Sequence, residues 1–177
     1  MERSIHERIN NIVVETASTD PIFLFTGKGN FRNTIAVTQQ YKDREGRKPF
    51  HYTNIELYIQ SVWPSLQVDG LEADDLLGIL LTENPGKYIC CSRDKDLKQI
   101  PGWHYGWEVH NQPSFGPELI DEFGYIMLSS KRDKLIGTGA MFHHAQMLMG
   151  DTTDTIPGIP KHGPVAAFNL LNTCTTI

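Results

Sequence analysis

The feature that most narrows the fold of this chain is one acidic helix set between two short apolar runs. Leu66-Gln67-Val68 reads as a strand and is followed by Asp69-Gly70-Leu71-Glu72-Ala73-Asp74-Asp75-Leu76-Leu77. Leu76, Leu77, Leu80 and Leu81 give Leu71 to Leu81 a helical apolar stripe, so Glu72 and Asp75, three residues apart, share a face, with Asp74 beside them. The next run, Lys87-Tyr88-Ile89-Cys90-Cys91, is short and rich in strand formers, and its C-terminal end delivers Ser92, Asp94 and Asp96. Strand, helix and strand in this order predict an α/β fold. In an open parallel sheet the C-terminal ends of the strands are where ligands bind.

Ionised carboxylates packed together repel one another and raise their own pKa values unless cations are present. Hard oxygen donors of this kind suit Mg2+ or Mn2+. Each motif also has an ordinary structural reading: acids in a helix's first turn complement its dipole, and Asp94-Lys95-Asp96 can be a surface turn. Their order along the chain is harder to explain that way.

With 177 residues, 40% hydrophobic and 21% charged, the chain is long enough for one well-cored domain with a small appendage. No run of about 18 apolar residues occurs and the first residues lack a signal peptide's apolar core, so a cytoplasmic setting and no membrane association are expected. Cys90 and Cys91 point to opposite faces of a strand and no CxxC spacing exists, which suits small buried thiols rather than a metal pair. Seven histidines, His143 and His144 among them, form no zinc pattern. A net charge of -5 argues against nonspecific coating of nucleic acid but leaves room for a local basic groove.

Along the chain, Ile5, Ile9, Ile12 and Val13 predict an amphipathic helix over Met1 to Ala17. Pro21 to Phe25 reads as a buried strand running into Thr26-Gly27-Lys28-Gly29, a simple turn or, less specifically, a phosphate approach. Lys42, Arg44, Arg47 and Lys48 make the most basic run, either a solvated loop or a segment in which Tyr41 stacks on a base while its neighbours contact phosphates. Tyr52 to Val62 is a predicted helix, the alternating Trp103, Tyr105 and Trp107 a strand-like stretch, and Pro117 to Phe123 the beginning of a short helix. Phe142 to Met149 reads as a helix ending at Gly150. Then Asp151-Thr152-Thr153-Asp154-Thr155-Ile156-Pro157-Gly158-Ile159-Pro160-Lys161-His162-Gly163 leads to a helix over Val165 to Leu171. Such a helix-hairpin-helix can turn backbone N–H groups toward a phosphate without reading sequence, or be an ordinary turn capped by Asp151.

Glu72-Ala73-Asp74-Asp75, Ser92-Arg93-Asp94-Lys95-Asp96 and Gly150-Asp151-Thr152-Thr153-Asp154-Thr155-Ile156-Pro157-Gly158-Ile159-Pro160 resemble, in that order, the three acidic motifs of the 5'-3' exonuclease and flap endonuclease family, and the Phe25 to Arg32 and Tyr41-Lys42 segments are similar to its phage members. The resemblance, from about Pro21 to Leu171, implies a central, mostly parallel sheet flanked by helices (a PIN-like 5' nuclease core, 1–135), followed by a helix-hairpin-helix element (136–177). It implies two divalent ions, one group held by Glu72, Asp74, Asp75, Asp94 and Asp96 and the other drawing on Asp151 and Asp154, hydrolysing phosphodiester bonds of DNA at a 5' end, nick or flap. RNA-DNA hybrid is a further substrate it leaves open. Lys42, with Arg44 or Arg47, would neutralise the phosphate and, with Tyr41, clamp a 5' single strand; Gly158, Lys161 and Gly163 would grip the duplex, with K+ at the hairpin.

Three positions depart from the family pattern. The chain opens on a helix where the family has a strand ending in an acid, Thr26-Gly27 stand where another Asp is expected, and Pro164-Val165-Ala166 replace a stretch in which Lys is common. A shortened or divergent form is therefore expected, incomplete at the C-terminal side and monomeric unless another chain supplies the strand. A DNA-structure-binding protein with weak or no catalysis is the second reading; a PIN-like nuclease, disfavoured by the hairpin after Asp151, is the third.

Overall fold

A computed structural model describes residues 2–36, 41, 48–153 and 156–174. Lys42, Arg44, Arg47 and Asp154, all expected site residues, lie outside the described residues. The described chain runs α1 (Glu2–Glu15), β1 (Phe23–Thr26), α2 (Arg32–Ile35), α3 (Tyr52–Val62), β2 (Ser65–Val68), α4 (Ala73–Glu83) and β3 (Ile89–Cys91). A single 3-10 turn (Asp96–Gln99) precedes β4 (Gly102–Gly106), β5 (Phe115–Ile120), β6 (Tyr125–Leu128), β7 (Leu135–Thr138), α5 (Gly139–Met149), β8 (Gly150–Asp151), β9 (Ile156–Pro157) and α6 (Pro164–Leu171).

The fold is α/β with mixed sheets, and the expectation of one mostly parallel sheet is corrected. β1 pairs with β2 in parallel, Phe23 opposite Ser65 and Thr26 opposite Val68, and β3 pairs with β4 in parallel. The other pairings, β4 with β5, β6 with β7 and β8 with β9, are antiparallel. Chain connectivity gives the reason. Helix-bearing crossovers join the parallel strands of the first pair, whereas β4–β5 and β6–β7 are linked only by residues 107–114 and 129–134, too few for the usual parallel crossover.

Pro117 to Phe123 is also corrected, from a helix to the latter part of β5, because Glu118, Leu119 and Ile120 pair with His104, Trp103 and Gly102. Cross-strand packing here overrides the local helix signals. Tyr125 to Thr138, without an element in the sequence reading, is a hairpin whose alternation is plain: Ile126 and Leu135 are buried while Tyr125, Met127 and Ile136 are exposed.

Two apolar clusters organise the packing. Leu81, Cys90 and Leu97 join α4, β3 and the 3-10 turn, with Leu77, Tyr88 and Ile100 packed against them. Ile126, Leu135, Met141, Phe142, Ala145 and Ala167 tie the β6–β7 hairpin to α5 and α6. The division expected between residues 135 and 136 therefore runs through this second cluster. Burial pushes the Cys90 thiol up to about 12 and that of Cys91 up to about 11, so both stay protonated and inert.

Candidate active site

The site begins where β1 ends. Gly27 donates its N–H to Leu71 O at 2.9 Å, and a Cβ there would collide with the carbonyl of Val68. This glycine brings the end of β1 against the end of β2. Thr26 then accepts the Ala73 N–H on its Oγ1 at 3.2 Å, fastening the start of α4 to β1.

At the start of α4, Glu72 is the N-cap and forms a capping box with Asp75; its N–H donates to Asp75 Oδ2 at 2.9 Å. The same carboxylate takes the Arg32 guanidinium in a bidentate pair, 2.8 Å to Oδ2 and 2.6 Å to Oδ1, and Arg32 lies 3.8 Å from Glu72 Oε2. The Asp75 hydrogen bonds outweigh burial and raise the Arg32 pKa above its ordinary value. Tyr41 donates its hydroxyl to Glu72 Oε2 at 2.9 Å, and its ring lies 5.7 Å from the Arg32 guanidinium.

A second acidic group forms after β3. Asp94 Oδ1 accepts the Asp96 N–H at 2.9 Å, and Ser92 Oγ accepts the Asp94 N–H at 3.1 Å, so Ser92 to Asp96 is a side-chain-braced turn. Lys95 donates to Asp96 Oδ1 at 2.7 Å and to Asp151 Oδ2 at 3.2 Å, joining the end of β3 to β8 across 56 residues. Burial would lower the Lys95 pKa, but its bonds to the two carboxylates hold it above its ordinary value. Burial would likewise raise that of Asp151, yet the Thr153 N–H at 2.8 Å and Lys95 keep it below the ordinary value.

Arg32, Asp74, Asp75, Asp94, Asp96 and His143 line one open cavity of about 840 Å3. Glu72 and Asp151 connect to it through Arg32 and Lys95. Carboxylates from α4, the turn after β3 and β8 thus approach one place, but as two groups, each with a protein cation. Among the described residues, no three His, Cys, Asp or Glu side chains are gathered closely enough to hold a metal ion. The donor set itself is of the kind that suits hard divalent cations, and Arg32 and Lys95 place positive charge against it.

At the other expected contact, a Cβ on Gly158 would strike the backbone of Met149 and Gly150, so this glycine lets the chain after β9 lie close against the junction of α5 and β8. Lys161 is exposed with a positive φ of 68°, and Gly163 is the N-cap of α6 with open space beside it. Sequence reasoning named neither Arg32 nor Lys95 as a site residue, nor Gln99, Gln146 and His143. The one available signal was Lys95 between two aspartates; the others meet only through the fold.

No family model matches the chain. It is 28% identical over 183 residues to a 5'-3' exonuclease of Buchnera aphidicola from Schizaphis graminum, covering 96% of this chain and 58% of that protein. It is 29% identical over 157 residues to the flap endonuclease Xni of Shewanella oneidensis, covering 78% of this chain and 53% of that protein. The chain thus spans little more than half the length of these curated relatives.

In fold it is similar to a mutant form of the bacteriophage T5 5'-exonuclease, with a TM-score of 0.61 at 14% identity over 96% of this chain and 64% of that one. A bacteriophage T5 flap endonuclease solved as a pseudo-enzyme-product complex with DNA and metal ions matches at TM-score 0.61 and 12% identity, over 96% and 65% of the two chains. Sequence relatives and fold neighbours agree: the chain is similar in sequence to 5'-3' exonucleases and flap endonucleases, and similar in fold to a 5'-exonuclease.

Proposed function

We propose that this chain is a metal-dependent nuclease that hydrolyses phosphodiester bonds of DNA near 5' ends or flaps. The observation that carries the reading is that carboxylates of α4 and of the turn after β3 line one cavity while Asp151 of β8 is joined to Asp96 through Lys95, in a chain similar to 5' nucleases. Glu72, Asp74, Asp75, Asp94, Asp96 and Asp151 are the residues that would hold divalent cations, Mg2+ or Mn2+. When bound, such ions supply an activated water and charge for the leaving oxygen. The chain's own part would be to keep Asp151 ionised, as its lowered pKa does, and to offer Arg32 and Lys95, now paired with carboxylates, to the substrate phosphate.

The helix-hairpin-helix from α5 through β8–β9 to α6 is, on this reading, the grip on the duplex, with K+ at the hairpin; the open N-cap at Gly163 supports it. Tyr41, hydrogen-bonded to Glu72, would on this reading contact the 5' single strand. Asp94→Ala and Asp151→Ala should each cut cleavage by roughly 100-fold or more, beyond the usual loss from outer partners of a metal, while DNA binding changes little. Equal loss of binding and cleavage would make these acids structural.

The second reading, a DNA-structure-binding protein with weak catalysis, has one observation behind it: Thr26 and Gly27 serve packing and helix capping where the family pattern expects an acid. Binding of branched DNA without metal-stimulated cleavage would establish it.

A further inference from the structure

Three side chains outside the acidic motifs form a line ending on the carboxylates of Asp96 and Asp151. His143 Nδ1 lies 2.8 Å from Gln99 Oε1, Gln99 Nε2 lies 2.5 Å from Gln146 Oε1, and Gln146 Nε2 lies 2.5 Å from Asp96 Oδ1 and 3.4 Å from Asp151 Oδ2. His143 and Gln146 are one turn apart on α5, and Gln99 ends the 3-10 turn against it.

Chemistry fixes the direction of this line. Ionised carboxylates only accept, so Gln146 must turn its NH2 to them, one N–H to each. Its Oε1 must then accept from the NH2 of Gln99, whose Oε1 is left facing His143. An amide oxygen cannot donate, so His143 donates from Nδ1. The neutral ring is thereby held as the Nδ1–H tautomer, whereas an unrestrained histidine in water favours Nε2–H.

We propose that Gln146 is a positioning residue for the Asp96 and Asp151 carboxylates, and that Gln99 and His143 fix the direction of its amide. Lys95 bridges the same two carboxylates, but its positive charge opposes a divalent cation and must leave when one arrives. Gln146 donates to the same two oxygens, Asp96 Oδ1 and Asp151 Oδ2, but it is neutral, so no charge repulsion expels it and it holds the two carboxylates together in both states. Hydrogen-bonded partners of this type orient metal ligands, and their loss weakens metal affinity by about 10–100-fold. The ion-binding consequence rests on the metal-site reading above, whereas the direction of the relay does not.

The test uses the full 15N-labelled chain. Ring-nitrogen NMR, with the His143 signals identified by their loss in His143→Gln, should show Nδ1–H in the metal-free protein and a mixture of tautomers in Gln146→Leu. Mn2+ binding followed by electron paramagnetic resonance should be at least tenfold weaker in Gln146→Leu than in the parent, with circular dichroism showing both folded. A parent His143 in the Nε2–H tautomer overturns the relay, and it is read on the parent chain itself once His143→Gln, shown to be folded by circular dichroism, has identified the signals. Unchanged Mn2+ affinity in a folded Gln146→Leu overturns the positioning role. A parent chain that binds no Mn2+ refutes the metal-site reading and the positioning claim with it, and the tautomer still judges the relay.

Discussion

Among single residues, Arg32 and Asp75 set the state of the site. Their paired contacts at 2.8 and 2.6 Å have side chains 29% and 16% exposed, so water screens the pair only partly. Asp75 is at once a helix-capping acid and a member of the acidic group, so the structural and functional readings of its motif hold together. Arg32→Ala leaves the Glu72 and Asp75 carboxylates without this guanidinium and should destabilise the metal-free chain by about 1–2 kcal/mol, below the 3–5 kcal/mol of a fully buried pair. Mg2+ should then raise the unfolding temperature of the variant more than that of the parent. Equal shifts would mean that the cation does not replace the guanidinium. The acids were legible in the sequence because they sit in compact motifs. Arg32 was not, because it reaches Asp75 across 43 residues and no local spacing encodes that contact.

Individual elements were legible where period and punctuation agree. Tyr52 to Val62 is helical over the very residues expected, and α4 begins two residues later than its stripe suggested because Glu72 is its cap. β5 was illegible since Pro117 and Glu118 carry helix-start signals that pairing with β4 overrides. Two predictions belong here. Gly27→Ala would push a Cβ into the Val68 carbonyl, and because backbone must move, a loss of about 2 kcal/mol or more is expected in denaturant unfolding. An unchanged midpoint would show that β1 and β2 are free to separate.

His104 in β4 gives the second. It is 2% exposed and donates Nε2–H to Ile100 O at 2.8 Å; burial lowers its pKa despite that bond and Glu118 nearby, with Lys98 acting in the same direction as burial. A folded value below the unfolded one, about 6.5, means that its stabilisation is complete above that pH and is lost as pH falls toward the folded value. His104→Gln should cost about 1–3 kcal/mol at neutral pH, and the gap from the parent should narrow by pH 5. A gap independent of pH would contradict a buried neutral imidazole.

For the whole molecule, α/β character was legible from the alternation of strands and helices, whereas sheet continuity was not. The two parallel pairs, β1–β2 and β3–β4, are each short, and α4 packs on both β1 and β3, so this helix brings its own acids beside those of the turn after β3. The β6–β7 hairpin with α5 and α6 forms the other apolar cluster and presents Gln146 to Asp96 and β8 to Lys95. The site therefore depends on the docking of these two cores.

The most direct measurement is cleavage of a 5'-labelled flap and a nicked duplex by the purified chain with Mg2+, Mn2+ or EDTA, beside Asp94→Ala as a guard against contaminating nuclease. Short 5' products that require the cation and vanish in the variant are the predicted result. Intact substrate under every condition, with branched DNA still bound, would contradict the nuclease and leave a binding protein built on the same fold.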